Sequence, residues 1–182
     1  MKTIRNSVVL LSAVAFIFAA QSSRATHLPE VGDKAPRVYG YDQDGKKWKL
    51  ADEIGKNIIV LYFYPRDNTP GCTKEACGFR DRMSNLKAEG VKVIGVSFDS
   101  VNSHKSFVFK YDLDFPLISD PKGEIADTYG ARKSPHINMD RRISFLIGMN
   151  GRIVHITDSP DPAVQLEENE RAIKNLTAKS SM

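Results

Sequence analysis

The segment NIIVLYFYPRDNTPGCTKEACGFRDRMSNLKAEGVKVIGVSF, residues 57–98, decides the architecture. Its two ends, Asn57–Pro65 and Val91–Phe98, are continuous apolar and β-branched runs. Such runs fit strands buried on both faces. The stretch between them reads as a helix from about Pro70 to Glu89. Thr69 stands at its N-cap position, Pro70 at the first helical position, and Gly90 closes it. A strand, a helix and a strand of this size make a parallel βαβ unit.

Outward from this unit the pattern continues. RVYGY (37–41) and KKWKL (46–50) flank the turn sequence DQDG and predict an N-terminal β-hairpin. Val101–Tyr111 reads as a helix with Phe107, Val108 and Tyr111 inward. FPLISD (115–120) is a short strand or loop, and KGEIADTYGA a short helix ended by Gly130. RISFLIG (142–148) and IVHITD (153–158) form a second hairpin through Asn150-Gly151. The C-terminal segment is amphipathic, with Val164, Leu166, Ala172, Ile173 and Leu176 on one side. This order predicts an α/β, thioredoxin-like fold, with a central mixed sheet flanked by helices.

Residues 1–25 are read apart from that domain. Lys2 and Arg5 precede the apolar run Ser7–Ala20, which is short for a membrane span, and small residues follow. This is the pattern of a secretory signal peptide cleaved after Ser22 or Ala25. It leaves 26–182 as one domain, exported to a compartment such as the bacterial periplasm. The alternative is an uncleaved, membrane-tethering segment. Of 26 basic residues three lie in 1–25, so 23 remain against 22 acids, a net charge of +1. That balance gives no electrostatic motive for nucleic-acid binding. Cleavage leaves no stable membrane association. The four histidines show no metal-ligand spacing, and no phosphate-binding glycine loop is present, so neither metal nor cofactor is expected. Tyr39, Trp48 and Phe79 read as core or pocket lining.

The only two cysteines, Cys72 and Cys77, both fall in the helix after Thr69. Cys72 lies in its first turn, where unpaired backbone N–H groups and the positive end of the macrodipole favour a negative sulfur. Arg66, and an arginine brought in by the fold, would add to that. Reactive cysteines occupy such positions. Five residues of ideal helix place the two Cα atoms roughly 8–9 Å apart, beyond the ~7 Å reach of a disulfide. In an oxidising compartment a structural staple is the plain alternative, but an intact helix cannot hold it. The pair reads as a switch between a helix with two thiols and an opened loop with a disulfide. Gly71 and Gly78 weaken the helix on either side.

PRDNTPGC (65–72) resembles the Pro-x-x-x-Thr-x-x-Cys motif of peroxiredoxins, and CTKEAC (72–77) resembles their Q-type branch, the bacterioferritin comigratory proteins. The resemblance continues through GVSFDS, FPLISDPKGEIADTYG and RRISFLIGMNGRI, roughly Leu28 to Ile153. It implies a thiol peroxidase that reduces hydrogen peroxide and organic hydroperoxides, with a role in antioxidant defence and redox homeostasis. Cys72 would be the peroxidatic cysteine and Cys77 the resolving one, joined in a redox-active disulfide. Thr69 would hydrogen-bond the sulfur and the peroxide, and Pro65 would shield the pocket. Arg142 would hold the thiolate, with the adjacent Arg141 as the alternative, and Glu75 would orient that arginine or else stand as a solvated first-turn acid. The implied partner is a thioredoxin-like reductant, and an intramolecular bridge implies a monomer. A thiol–disulfide oxidoreductase without peroxide chemistry is the competing reading. It would carry Cys-x-x-Cys and have no use for Thr69 and Arg142.

Overall fold

In the computed structural model, residues 28–180 are described; the expected signal segment lies outside them. The chain forms β1 (Tyr39–Tyr41), β2 (Lys47–Lys49), a 3-10 turn (Leu50–Asp52), β3 (Ile58–Phe63), α1 (Pro70–Ala88), β4 (Val91–Ser97) and α2 (Val101–Tyr111). There follow β5 (Leu117–Ser119), α3 (Glu124–Thr128), β6 (Arg132–Ser134), β7 (Ile137–Asp140), β8 (Ile143–Ile147), β9 (Ile153–Asp158) and α4 (Pro162–Ser180). Seven strands make one mixed sheet in the order β2-β1-β5-β4-β3-β8-β9, and β6 pairs only with β7. β3, β4 and β5 run parallel. β8 joins β3 antiparallel, and β9 and the β1–β2 hairpin complete the two edges antiparallel.

Why β3 sits at the centre follows from its residues. All six of its side chains are buried, and they alternate between two cores, as a period of two requires. Ile58, Val60 and Tyr62 face one core, with Phe107 of α2 and Leu166 and Ile173 of α4. Ile59, Leu61 and Phe63 face the other, with Trp48, Ile125, Tyr129 and Phe145. Each such aliphatic side chain contributes about 1.5–3 kcal/mol by leaving water. α1 covers the first core through Cys72, Ala76, Phe79, Met83 and Leu86. Their spacing of three and four residues puts them on one helical stripe.

The expected hairpins, βαβ unit and helices are all present. One expectation needs correction. Tyr39 is 64% exposed, not core, because β1 presents its odd residues to solvent while Trp48 turns inward from β2. The β6–β7 hairpin has no counterpart in the sequence reading, because its short, half-exposed strands carry no clear alternation. Among the described residues no helix is long and apolar enough to cross a membrane.

One close approach ties α1 to α4. A Cβ on Gly78 would meet Leu166 Cδ1 at 2.3 Å. Glycine there lets Leu166 press directly on the α1 backbone, one residue beyond Cys77.

Candidate active site

β3 ends at Phe63, and the chain passes through Pro65 to Thr69 before α1 begins. The turn needs a left-handed residue, which Asn68 supplies at φ 58°. Ligand sites of parallel sheets lie at this carboxyl end of the strands. Cys72 occupies the first turn of α1 and is 2% exposed.

Arg142 comes from the residue immediately before β8, the antiparallel neighbour of β3. Each of its three nitrogens has one role. Nε donates to the Pro160 carbonyl at 3.0 Å. Nη1 donates to Glu75 Oε2 in a buried ion pair. Nη2 donates to Cys72 Sγ at 3.4 Å. Gly71 makes room for this: a Cβ there would stand 3.2 Å from Nη2. Glu75 lies one helical turn after Cys72 and is fully buried. Burial pushes its carboxyl up to about 8, against the opposing pull of the Arg142 guanidinium. Arg142 itself is lowered by burial but raised overall by Glu75 and by the Cys72 sulfur. The structure therefore brings Cys72, Arg142 and Glu75 together. The arginine on the sulfur is Arg142; Arg66 is exposed.

Thr69 differs from expectation. It is the N-cap residue, yet its side chain makes no capping bond. Its hydroxyl donates to the Arg66 carbonyl at 3.1 Å and not to the Cys72 sulfur. Its backbone is extended, at φ −81° and ψ 149°, as an N-cap residue's is. Pro65 is half-buried in the same loop. Cys77 is a free thiol, as is Cys72, and both sit on the uninterrupted α1. Cys77 opens onto a groove of about 370 Å³ between α1 and α4, beside Lys74, Arg82, Leu166 and Glu167. Among the described residues no three His, Cys, Asp or Glu side chains converge to hold a metal.

Sequence reasoning missed the anchor of the loop. Asp67, 5% exposed, accepts from Tyr64 Oη at 2.7 Å and Ser103 Oγ at 2.7 Å. It also contacts Nδ1 of the fully buried His104 at 2.9 Å, and its own N–H donates to Asp99 Oδ2 at 3.0 Å. Loop 65–69 is thus held to β4 and α2. His104 is a structural partner rather than one of four scattered histidines, and nothing local to it signals a pairing 37 residues away. Asp67→Ala would take the shared acceptor from the buried Tyr64 Oη and His104 Nδ1, which keep only their long 3.4 Å contact with each other, and from the half-buried Ser103 hydroxyl. The expected loss is about 3–5 kcal/mol in urea unfolding, since each orphaned group costs 1–3 kcal/mol and neighbouring losses do not simply add.

Comparison with known proteins adds the following. The AhpC/TSA family matches residues 31–156. Peroxiredoxin Bcp of Escherichia coli K12 is 41% identical over 134 residues, covering 71% of this chain and 85% of that one. A peroxiredoxin-like bcp protein of Coxiella burnetii is 52% identical over 101 residues, 56% of this chain and 66%, just under two thirds, of its own length. Among solved structures, the bacterioferritin comigratory protein of Xanthomonas campestris superposes with a TM-score of 0.71 at 28% identity. The match covers 77% of this chain and 92% of that one. That structure is described as a trapped intermediate/ligand complex bearing on alkyl peroxide reduction.

Proposed function

Since this chain belongs to the AhpC/TSA family and, within it, to the peroxiredoxins, whose thiols reduce peroxides, we propose that it runs a two-cysteine peroxidase cycle on Cys72 and Cys77. The observation that carries the reading is Arg142 Nη2 at 3.4 Å from Cys72 Sγ, at the N-terminus of α1.

The Cys72 thiolate attacks one peroxide oxygen and the O–O bond breaks. Sulfur is oxidised by two electrons to a sulfenic acid. The other oxygen leaves with a proton as water or an alcohol. Negative charge moves from sulfur to the departing oxygen, and the fixed guanidinium of Arg142 stabilises it along the way. Glu75 holds that guanidinium in place. The Thr69 hydroxyl donates its hydrogen bond to the Arg66 backbone carbonyl, which leaves its lone pairs free to accept from the peroxide O–H. Pro65 screens the sulfur from bulk water. The Cys77 thiol then attacks the sulfenic sulfur and expels water, leaving a disulfide. Ideal helix geometry keeps the two Cα atoms ~8–9 Å apart, so α1 must loosen between them first. A thioredoxin-like dithiol returns two electrons and two protons.

Hydrogen peroxide and organic hydroperoxides are the proposed substrates; the alkyl peroxide chemistry named for the Xanthomonas relative supports the second class. Antioxidant defence and redox homeostasis are the proposed roles. The intramolecular bridge makes a monomer sufficient. Residues 1–25 are proposed as an export signal. The N-terminal sequence of the mature protein tests that: a start at Ser23 or Thr26 supports it, and a retained Met1 refutes it.

The cycle is tested by adding one equivalent of hydrogen peroxide to reduced protein and counting thiols. Both thiols should disappear within seconds, and Cys72→Ser should block the loss. Cys77→Ser should consume one equivalent, gain a single oxygen on Cys72 by mass, and stall. Oxygen found on Cys77 instead, or loss at the pace of free cysteine, would overturn the assignment and favour simple thiol–disulfide exchange.

A further inference from the structure

The proposed cycle needs Arg142 to stand over Cys72, and the chain has a device for placing it that lies outside the motif. Gln165, in the first turns of α4, is fully buried. The two N–H donors of its side-chain amide are shared among three backbone carbonyls: Arg142 at 3.2 Å, Thr157 at 3.1 Å and Ser159 at 3.0 Å from Nε2. Its carbonyl accepts from Ser144 Oγ at 2.7 Å. The reverse orientation would set its oxygen against three carbonyls, so the network fixes the amide's direction.

These acceptors are not arbitrary. One is the backbone of Arg142 itself. Another, Ser159, precedes Pro160, whose carbonyl receives Arg142 Nε at 3.0 Å. Gln165 therefore holds both the root of the arginine and the acceptor that aims its guanidinium. A long side chain fixed at the root alone could still swing about its own torsions. Fixing the far acceptor as well removes that freedom.

We propose that Gln165 is a positioning residue for the Cys72 chemistry, acting through Arg142 and the Pro160 carbonyl. This rests on the peroxidase reading for its consequence, but the placement of Arg142 can be read without peroxide. Displacing a catalytic group by about 1 Å can cost 10²-fold in rate.

The test uses the full chain in a Cys77→Ser background, so that only Cys72 reacts. Gln165→Met keeps the volume and removes all four hydrogen bonds. It should slow oxidation of Cys72 by hydrogen peroxide about 10- to 100-fold. It should also move the pH dependence of Cys72 alkylation by iodoacetamide toward the profile of Arg142→Met. Asn169→Leu is the control. Asn169 is buried and donates to Ser144 Oγ at 2.7 Å and to the Gln165 backbone carbonyl, one helical turn earlier, at 2.7 Å, but it has no hydrogen bond to Arg142, Pro160 or the Gln165 side-chain amide. It should lower the melting temperature comparably while leaving the oxidation rate and alkylation profile those of the parent. A Gln165→Met protein with the parent's alkylation profile overturns the proposal, as does an Asn169→Leu protein that loses reactivity equally. If the parent itself fails to react with peroxide, the peroxidase reading falls, and the alkylation profiles still decide whether Gln165 places Arg142.

Discussion

Arg142→Met lowers the second-order rate of Cys72 oxidation by about 10²–10³-fold, the loss expected when one preorganised donor to transition-state charge is removed. Competition with a haem peroxidase of known rate measures it. The variant separates catalysis from folding, because the buried partner has a way out. Breaking a buried ion pair costs about 3–5 kcal/mol when it strands a charge. Here burial pushes the Glu75 carboxyl up to about 8 even against the pull of Arg142, and removing Arg142 takes that pull away. Without Arg142 it keeps its proton at neutral pH, so the stability loss should fall below that range. Adding Glu75→Gln to Arg142→Met should then change the melting temperature little at neutral pH and should not restore the rate. A rate for Arg142→Met within tenfold of the parent would remove Arg142 from the chemistry.

Asp140→Asn stabilises the fold, and increasingly so as pH rises from about 4 to 8. Asp140 is fully buried on β7, and neither carboxylate oxygen has a hydrogen-bond partner among the described residues. Burial and the neighbouring Asp120 raise its carboxyl from 3.8 to about 8, opposed by Arg132, with Asp127 and Asp99 adding to the rise. Arg132 gives little relief because its own donors go to Asp127, Asn138 and the Lys122 carbonyl. The sign follows from linkage. Below about pH 4 both folded and unfolded chains are protonated there, and burial of the acid costs no ionisation energy. Between about 4 and 8 only the unfolded chain releases the proton, so stability falls by ~1.4 kcal/mol per pH unit. At pH 7 the accumulated loss is roughly 4 kcal/mol, a large part of a typical 5–15 kcal/mol. Asparagine of the same shape does not ionise. Melting curves should coincide near pH 4 and separate toward pH 8; parallel curves would show that Asp140 is ionised and paired in the fold.

Much of this architecture could be read along the chain. Ile58–Phe63 and Val91–Ser97 are uninterrupted apolar runs, and Pro70 and Gly90 mark the ends of α1 within a residue or two. Those signals are local, and local signals survive in one sequence. The placement of Cys72 in a first helical turn was legible for the same reason. Arg142 was not legible from pattern at all; only the resemblance of its block singled it out. Asp67, His104, Ser144, Gln165 and Asn169 gave no signal, because a buried polar side chain looks like a surface one until its distant partner is known. Thr69 shows the converse: the residue type fitted a cap, but a competing carbonyl at Arg66 took the hydroxyl.

The notch at Gly78 bears on how a finished molecule is told from a fresh one. Leu166 rests there on bare backbone, one position past Cys77. In the proposed cycle α1 opens between Cys72 and Cys77, and an opening that runs one residue further would lift Gly78 from Leu166. An apolar side chain hidden before oxidation is then uncovered on the groove where Cys77 sits. A reductant that grips this patch would engage the spent form and ignore the thiol form, so product recognition and substrate turnover would be written into the same leucine.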